Sequence, residues 1–177
     1  EGLKVYNLSK NSVSVSISGN SLAIRQVKAE NLEVVATVTE NMKDRKNNTL
    51  TLSARKKGEL LTDFSVTSID PGTVTAEIDV AKEAAFPIEN GIVANAENGY
   101  FVKQPQLSAE TVTVSGPESV VARIDKVVAE YTFPEALNES KDFVADLVLY
   151  DENGEKLEND YLTLSTDTVE VRLVVLW

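Results

Sequence analysis

Val13, Val15 and Ile17 alternate with serines ahead of Gly19, and Val112 and Val114 alternate with threonine and serine ahead of Gly116. A period of two places the apolar side chains on one face, so each run predicts a half-buried strand. After each glycine the spacing becomes helical: Ala23, Ile24 and Val27 follow the first, Val120, Val121 and Ile124 the second. One or two helical turns are predicted in each place, with Pro117 at a first helical position where its missing N–H costs nothing. Residues 32–38, 127–133, 50–54 and 143–150 are rich in aliphatic and β-branched side chains and predict further strands. Lys57-Gly58-Glu59 and Glu152-Asn153-Gly154-Glu155 punctuate them, and Asn-Gly between two apolar runs is a strong hairpin signal. Closing strands are predicted at Val74, Ala76 and Ile78 and at Val169, Val171 and Leu173, which again alternate.

The two series of elements are one series written twice. Gly2 and Gly99 stand 97 residues apart, as do Gly19 and Gly116, and the runs between them align without a gap. Two tandem copies of one folding unit follow, covering residues 1–79 and 80–177. Many short strands with regular turns indicate an all-β fold with a short helix per repeat, built as two tandem modules of β-sandwich or barrel-like form. The copies differ at their start. Residues 80–97, including the strand-like Ala85-Phe86-Pro87-Ile88, have no counterpart before Gly2. Copy one therefore lacks its opening strand, which lies outside these residues or is supplied by another part of the chain. An exposed sheet edge is expected near Leu3 to Tyr6, open to pairing with another strand.

Composition removes chemistry more readily than it adds it. The chain of 177 residues has no cysteine and no histidine, so thiolate nucleophiles, imidazole bases and the usual zinc sites have no residues to form them. No Gly-rich phosphate loop occurs. Asp151-Glu152-Asn153-Gly154 resembles the start of a calcium loop, but the sixth position, which requires glycine, holds Lys156. A hairpin turn explains the same residues. Nothing selects a carboxylate pair or a Ser/Lys dyad, and no catalytic, cofactor-binding or metal-binding residue is assigned. The Asn-x-Ser/Thr triplets at Asn7, Asn47 and Asn138 are too short a pattern to weigh.

The net charge of -11 is not shared: residues 1–79 carry 10 basic and 10 acidic side chains, residues 80–177 carry 7 and 18. Copy one holds two basic clusters, Lys43, Arg45 and Lys46 and then Arg55, Lys56 and Lys57, whereas Asp151, Glu152, Glu155, Glu158 and Asp160 crowd one stretch of copy two. Such a balance argues against a nucleic-acid partner. Tyr100 and Phe101 stand where copy one has Leu3 and Lys4, and aromatic residues in short strands are expected to pack inward.

The string from Phe86-Pro87-Ile88 through Asn98-Gly99-Tyr100, Ser108-Ala109-Glu110-Thr111-Val112-Thr113-Val114-Ser115-Gly116-Pro117 and Ile124-Asp125-Lys126-Val127 to Tyr150-Asp151-Glu152-Asn153-Gly154 and Thr168-Val169-Glu170-Val171 resembles the YbbR-like domain family. Copy one is a diverged match, with Asn20 where the family favours proline, although Ile69-Asp70-Pro71-Gly72-Thr73-Val74 looks like the family's closing pattern. The resemblance implies tandem β-rich modules held outside the cytoplasmic membrane of bacteria by an N-terminal transmembrane helix that is not among these residues. It implies contact with a membrane protein partner, the family including the regulator of the membrane diadenylate cyclase that makes cyclic di-AMP. Regulation by protein contact is thus expected, without a cofactor, without nucleic acid and with no catalytic residue to carry over. A cell-surface spacer, or a module binding an envelope component through the acidic copy, is the alternative.

Overall fold

In a computed structural model the described residues are 2–42, 45–58 and 63–177, and every absence stated below refers to them. Lys43 and Glu59 lie outside them, as do the side chains of Arg45 and Lys46, so the first basic cluster has no structural account. The chain divides into two compact units, Glu1–Val80 and Ala81–Trp177.

Unit 1 contains β1 (Leu3–Leu8), β2 (Ser14–Gly19), α1 (Ser21–Gln26), β3 (Leu32–Ala36), β4 (Arg45–Lys56), β5 (Phe64–Asp70) and the first part of β6 (Thr73–Val93). It is built as two separate ladders. β2 pairs antiparallel with β5 alone, while β3 pairs β4, β4 pairs β6, and β6 pairs β1. The core gathers Leu50, Val74, Ala76 and Ile78, with Leu3, Val5, Ala36 and Leu52 packed on it. The helix begins where the sequence places it because Asn20 caps it: its side-chain oxygen accepts a hydrogen bond from the Ala23 N–H at 2.8 Å.

Unit 2 contains the rest of β6, β7 (Phe101–Val102), β8 (Gln106–Leu107), β9 (Thr111–Pro117), α2 (Glu118–Val121), β10 (Ile124–Thr132), β11 (Lys141–Asp151), β12 (Thr163–Leu164), β13 (Thr168–Leu173) and β14 (Val175–Leu176). Its main sheet runs β12-β9-β6-β10-β11-β13-β8, with β14 and β7 paired beside it, and it does not close into a barrel. Val112, Val114, Val121, Ile124, Val127, Leu149 and Leu157 form one buried cluster. Pro117 is the cap before α2 rather than its first helical residue, with an extended φ of -60° and ψ of 134°.

The 97-residue offset recurs in two strand pairings. Lys4 pairs with Asp79 and Val5 with Ile78 in unit 1; Phe101 pairs with Leu176 and Val102 with Val175 in unit 2, each partner displaced by 97. The repeated glycines have two different causes. Gly2 and Gly99 have φ of +83° and +88°, a left-handed backbone that side chains resist. At Gly19 and Gly116 the limit is space, because a Cβ would lie 3.2 Å from the Asp63 carbonyl oxygen and 3.0 Å from that of Tyr161.

One element differs in extent from the sequence reading. The closing strand of copy one and the strand-like run Ala85-Phe86-Pro87-Ile88 form the single strand β6. No glycine interrupts residues 73–90, and Pro87 causes no break because of where it falls. It holds the last registered position opposite β9, and the ladder to β10 starts at Ile88, so the missing N–H opens no gap inside either ladder.

Candidate interaction surface

The turn after β11 shows what its acidic residues do. Asp151 is buried, and its Oδ1 accepts hydrogen bonds from the N–H groups of Asn153 at 2.9 Å and Glu155 at 3.1 Å. Gly154 follows with φ of +76°. The side chain that heads the calcium-like motif is therefore committed to a hairpin turn, while Glu152, Glu155, Glu158 and Asp160 are exposed. Among the described residues no three carboxylates converge as metal ligands would. The second basic cluster is partly neutralised: Arg55 Nε lies 2.6 Å from Glu33 Oε2 and Lys56 Nζ 2.8 Å from Asp63 Oδ1. Each cation holds its carboxyl partner below the usual carboxylate range, first by the hydrogen bond and then by its charge.

The edge at Leu3 to Tyr6 belongs to β1, which pairs along one side with β6 and has no other strand registered against it. Its position at the end of the sheet order, rather than a lost strand, accounts for this, since β8 ends the unit 2 sheet in the same way. Lys4 Nζ lies 5.5 Å from the centroid of the Tyr6 ring. Partial burial, and then the neighbouring Asp79 carboxylate, push the Tyr6 phenol upward.

The expectation that Tyr100 and Phe101 pack inward fails for Phe101. Val102 joins the cluster around Leu173 and Val175, so the alternation of a short strand turns its neighbour outward, and Phe101 is 52 % exposed. Tyr100 is half-buried and meets Trp177 edge-on, with ring centroids 4.9 Å apart.

Sequence reasoning missed an apolar groove in unit 1. A groove of about 740 Å³ opens between its two ladders, walled by Val13, Val15 and Ile17 at β2 and by Leu32, Val34 and Ala36 on β3. Leu50 and Val74 of the core reach its lining, and Lys10 and Lys28 line it as well. A concave apolar surface of this size suits recognition of an apolar ligand or segment. The available signal was the pair of alternating apolar runs, read together with the strand that copy one lacks.

No helix among the described residues is long and apolar enough to cross a membrane. Among curated proteins none matches the chain. The crystal structure of a YbbR-like protein from Streptococcus pneumoniae TIGR4 is similar at 17% identity and a TM-score of 0.47, covering 99% of this chain and 86% of that one. The solution structure of SuR18C from Streptococcus thermophilus is similar at 14% identity and a TM-score of 0.40, covering 54% of this chain and 84% of that one. Residues 86–173 match the family model described as YbbR-like protein, a family not known for catalysis. By that match the chain carries a YbbR-like domain in its second unit.

Proposed function

We propose that this chain is a non-catalytic, extracytoplasmic module of a membrane-anchored bacterial protein, and that it regulates a diadenylate cyclase, and so cyclic di-AMP synthesis, through protein contacts. The observation that carries the reading is the apolar groove of unit 1, a preformed concave surface. A regulator of this kind acts by binding one state of its partner better than another. The test is co-purification of the full-length protein with the membrane diadenylate cyclase of its own bacterium, with cyclic di-AMP output measured in the presence and absence of the module. Association, together with a changed output, supports the reading; a cyclase that neither associates nor responds sinks it.

A second reading rests on Glu152, Glu155, Glu158 and Asp160, four exposed carboxylates around one turn of unit 2. They suit a basic component of the envelope, with the module as spacer or binder. Charge-driven binding of that kind weakens steeply with ionic strength, whereas a packed apolar contact persists. Binding measured across a salt series therefore separates the two.

A further inference from the structure

Unit 2 shows what occupies the position that is open in unit 1. There the segment 81–93 of β6 runs between β9 and β10, antiparallel to the first from Ala81↔Pro117 to Pro87↔Thr111 and parallel to the second from Ile88↔Val127 to Val93↔Thr132. It joins the ladder β12-β9 to the ladder β10-β11-β13-β8 and lays Ala84, Phe86 and Ile88 on the core. Unit 1 has the same two halves, β5-β2 and β3-β4-β6-β1, and among the described residues no strand joins them.

Exposure records the missing neighbour. Val15 and Ile17 are only half-buried, whereas Val112 and Val114, displaced from them by 97, are 1% and 0% exposed. On β3 the groove-lining Val34 is 38% exposed, whereas on β10 both Val127 and Ala129 are fully buried.

We propose that unit 1 is a strand acceptor: its groove takes an extended polypeptide strand with the alternating apolar pattern of Ala84, Phe86 and Ile88, running antiparallel to β2 and parallel to β3, supplied from outside these 177 residues. The chain's own copy of that strand is held on both sides in unit 2 and is not available for sharing. Main-chain bonds to two open edges supply affinity, and the alternating side chains supply selectivity. Lys10 and Lys28 favour a strand whose polar positions are acidic, as Glu83 and Glu89 are in the segment 81–93. In unit 2 the strand carries a small residue beside its parallel partner. At Gly91 a Cβ would lie 2.4 Å from Val128 Cγ1 and 2.9 Å from the Ala129 carbonyl oxygen. The inference goes beyond the regulatory reading, because it commits to one form of ligand, an extended strand carried by a partner protein.

The probe is the synthetic peptide of residues 81–93, titrated against the 177-residue protein while amide hydrogen exchange is followed. With peptide a hundredfold above its Kd, amides of β2 and β3 that exchange through opening of unit 1 slow by about a hundredfold, and those of unit 2 do not change. A peptide carrying Phe86→Asp and Ile88→Asp gives no protection, and neither does the native peptide with protein carrying Val34→Asp. That side chain is partly exposed, so the variant keeps its fold, checked by unchanged exchange in β4. Weak affinity is addressed by joining residues 81–98 directly ahead of Glu1, which raises the effective concentration to the millimolar range. Protection of β2 and β3 in either format supports the acceptor. Exchange unchanged in both formats, or equal protection by the aspartate peptide, overturns it.

Discussion

Replacing Gly91 by alanine sets two effects of opposite sign against each other. The glycine has no left-handed φ, so alanine fits the backbone, and loss of freedom in the unfolded chain alone would stabilise by about 0.4–1 kcal/mol. Against this stands the contact. The new Cβ would sit 2.4 Å from Val128 Cγ1 and 2.9 Å from the Ala129 carbonyl oxygen. The second atom is backbone in a strand held on both sides, and the first belongs to a β-branched side chain that is 8% exposed and has little room to turn. Overpacking of this kind costs about 1–3 kcal/mol, so it outweighs the entropic gain and leaves unit 2 less stable by about 1–2 kcal/mol. For a unit of this size the midpoint falls by roughly 5–15 °C. Differential scanning calorimetry reads the shift, and faster amide exchange in β10 assigns it to unit 2. Adding Val128→Ala removes one of the two close atoms, so the double variant loses less than the sum of the singles. A midpoint for Gly91→Ala equal to or above that of the parent protein refutes the reasoning.

Three further outcomes follow from the same geometry. Val114→Ala, at a fully buried position, lowers stability by about 2 kcal/mol, whereas Val15→Ala, on the open groove wall, costs less than about 1 kcal/mol; urea unfolding of the two variants gives the contrast. Asp151→Ala deprives two backbone N–H groups of their acceptor and costs about 1–3 kcal/mol, while Asp151→Asn, which keeps an acceptor oxygen, recovers most of it in the same assay. The Tyr150 hydroxyl donates to Glu130, and that hydrogen bond, then desolvation and the carboxylate's charge, raise the phenol's pKa above its ordinary value. A raised folded-state pKa means that the contribution is complete below about pH 10 and is lost as pH rises through the folded value. Ultraviolet titration of the tyrosines shows late phenolates at Tyr6 and Tyr150, and Glu130→Gln returns that of Tyr150 towards the ordinary range while leaving that of Tyr6.

Elements with a local cause were legible in the residues. The alternation at Val13 to Ile17 and Val112 to Val114 appears as β2 and β9, the helical clusters after Gly19 and Gly116 appear as α1 and α2, and Asn153-Gly154 appears as a turn. What escaped depends on neighbours distant in sequence. The outward turn of Phe101 follows from its partner Leu176, and the continuity of β6 follows from the ladders on either side of Pro87. The groove is the hardest case, because it is the absence of a strand and has no residues of its own. A trace of it was present nonetheless. A strand, a short helix and a strand in succession, as in β2-α1-β3, mark a crossover that passes over a neighbour instead of pairing directly. β1 lies at a sheet edge near Leu3, whereas the opening that no strand fills among the described residues lies between β2 and β3.

The unpaired edges of β2 and β3 also bear on how the protein behaves when concentrated. Open edges beside apolar side chains are templates for pairing between identical molecules, and nothing in the short, uncharged run from Val13 to Ile17 discourages it. The countermeasure is colloidal. A net charge of -11, carried wholly by residues 80–177, makes molecules repel before their edges meet, so the acidic copy acts as solubiliser for its neutral neighbour. Screening by salt removes that protection, and self-association of the protein therefore rises with ionic strength.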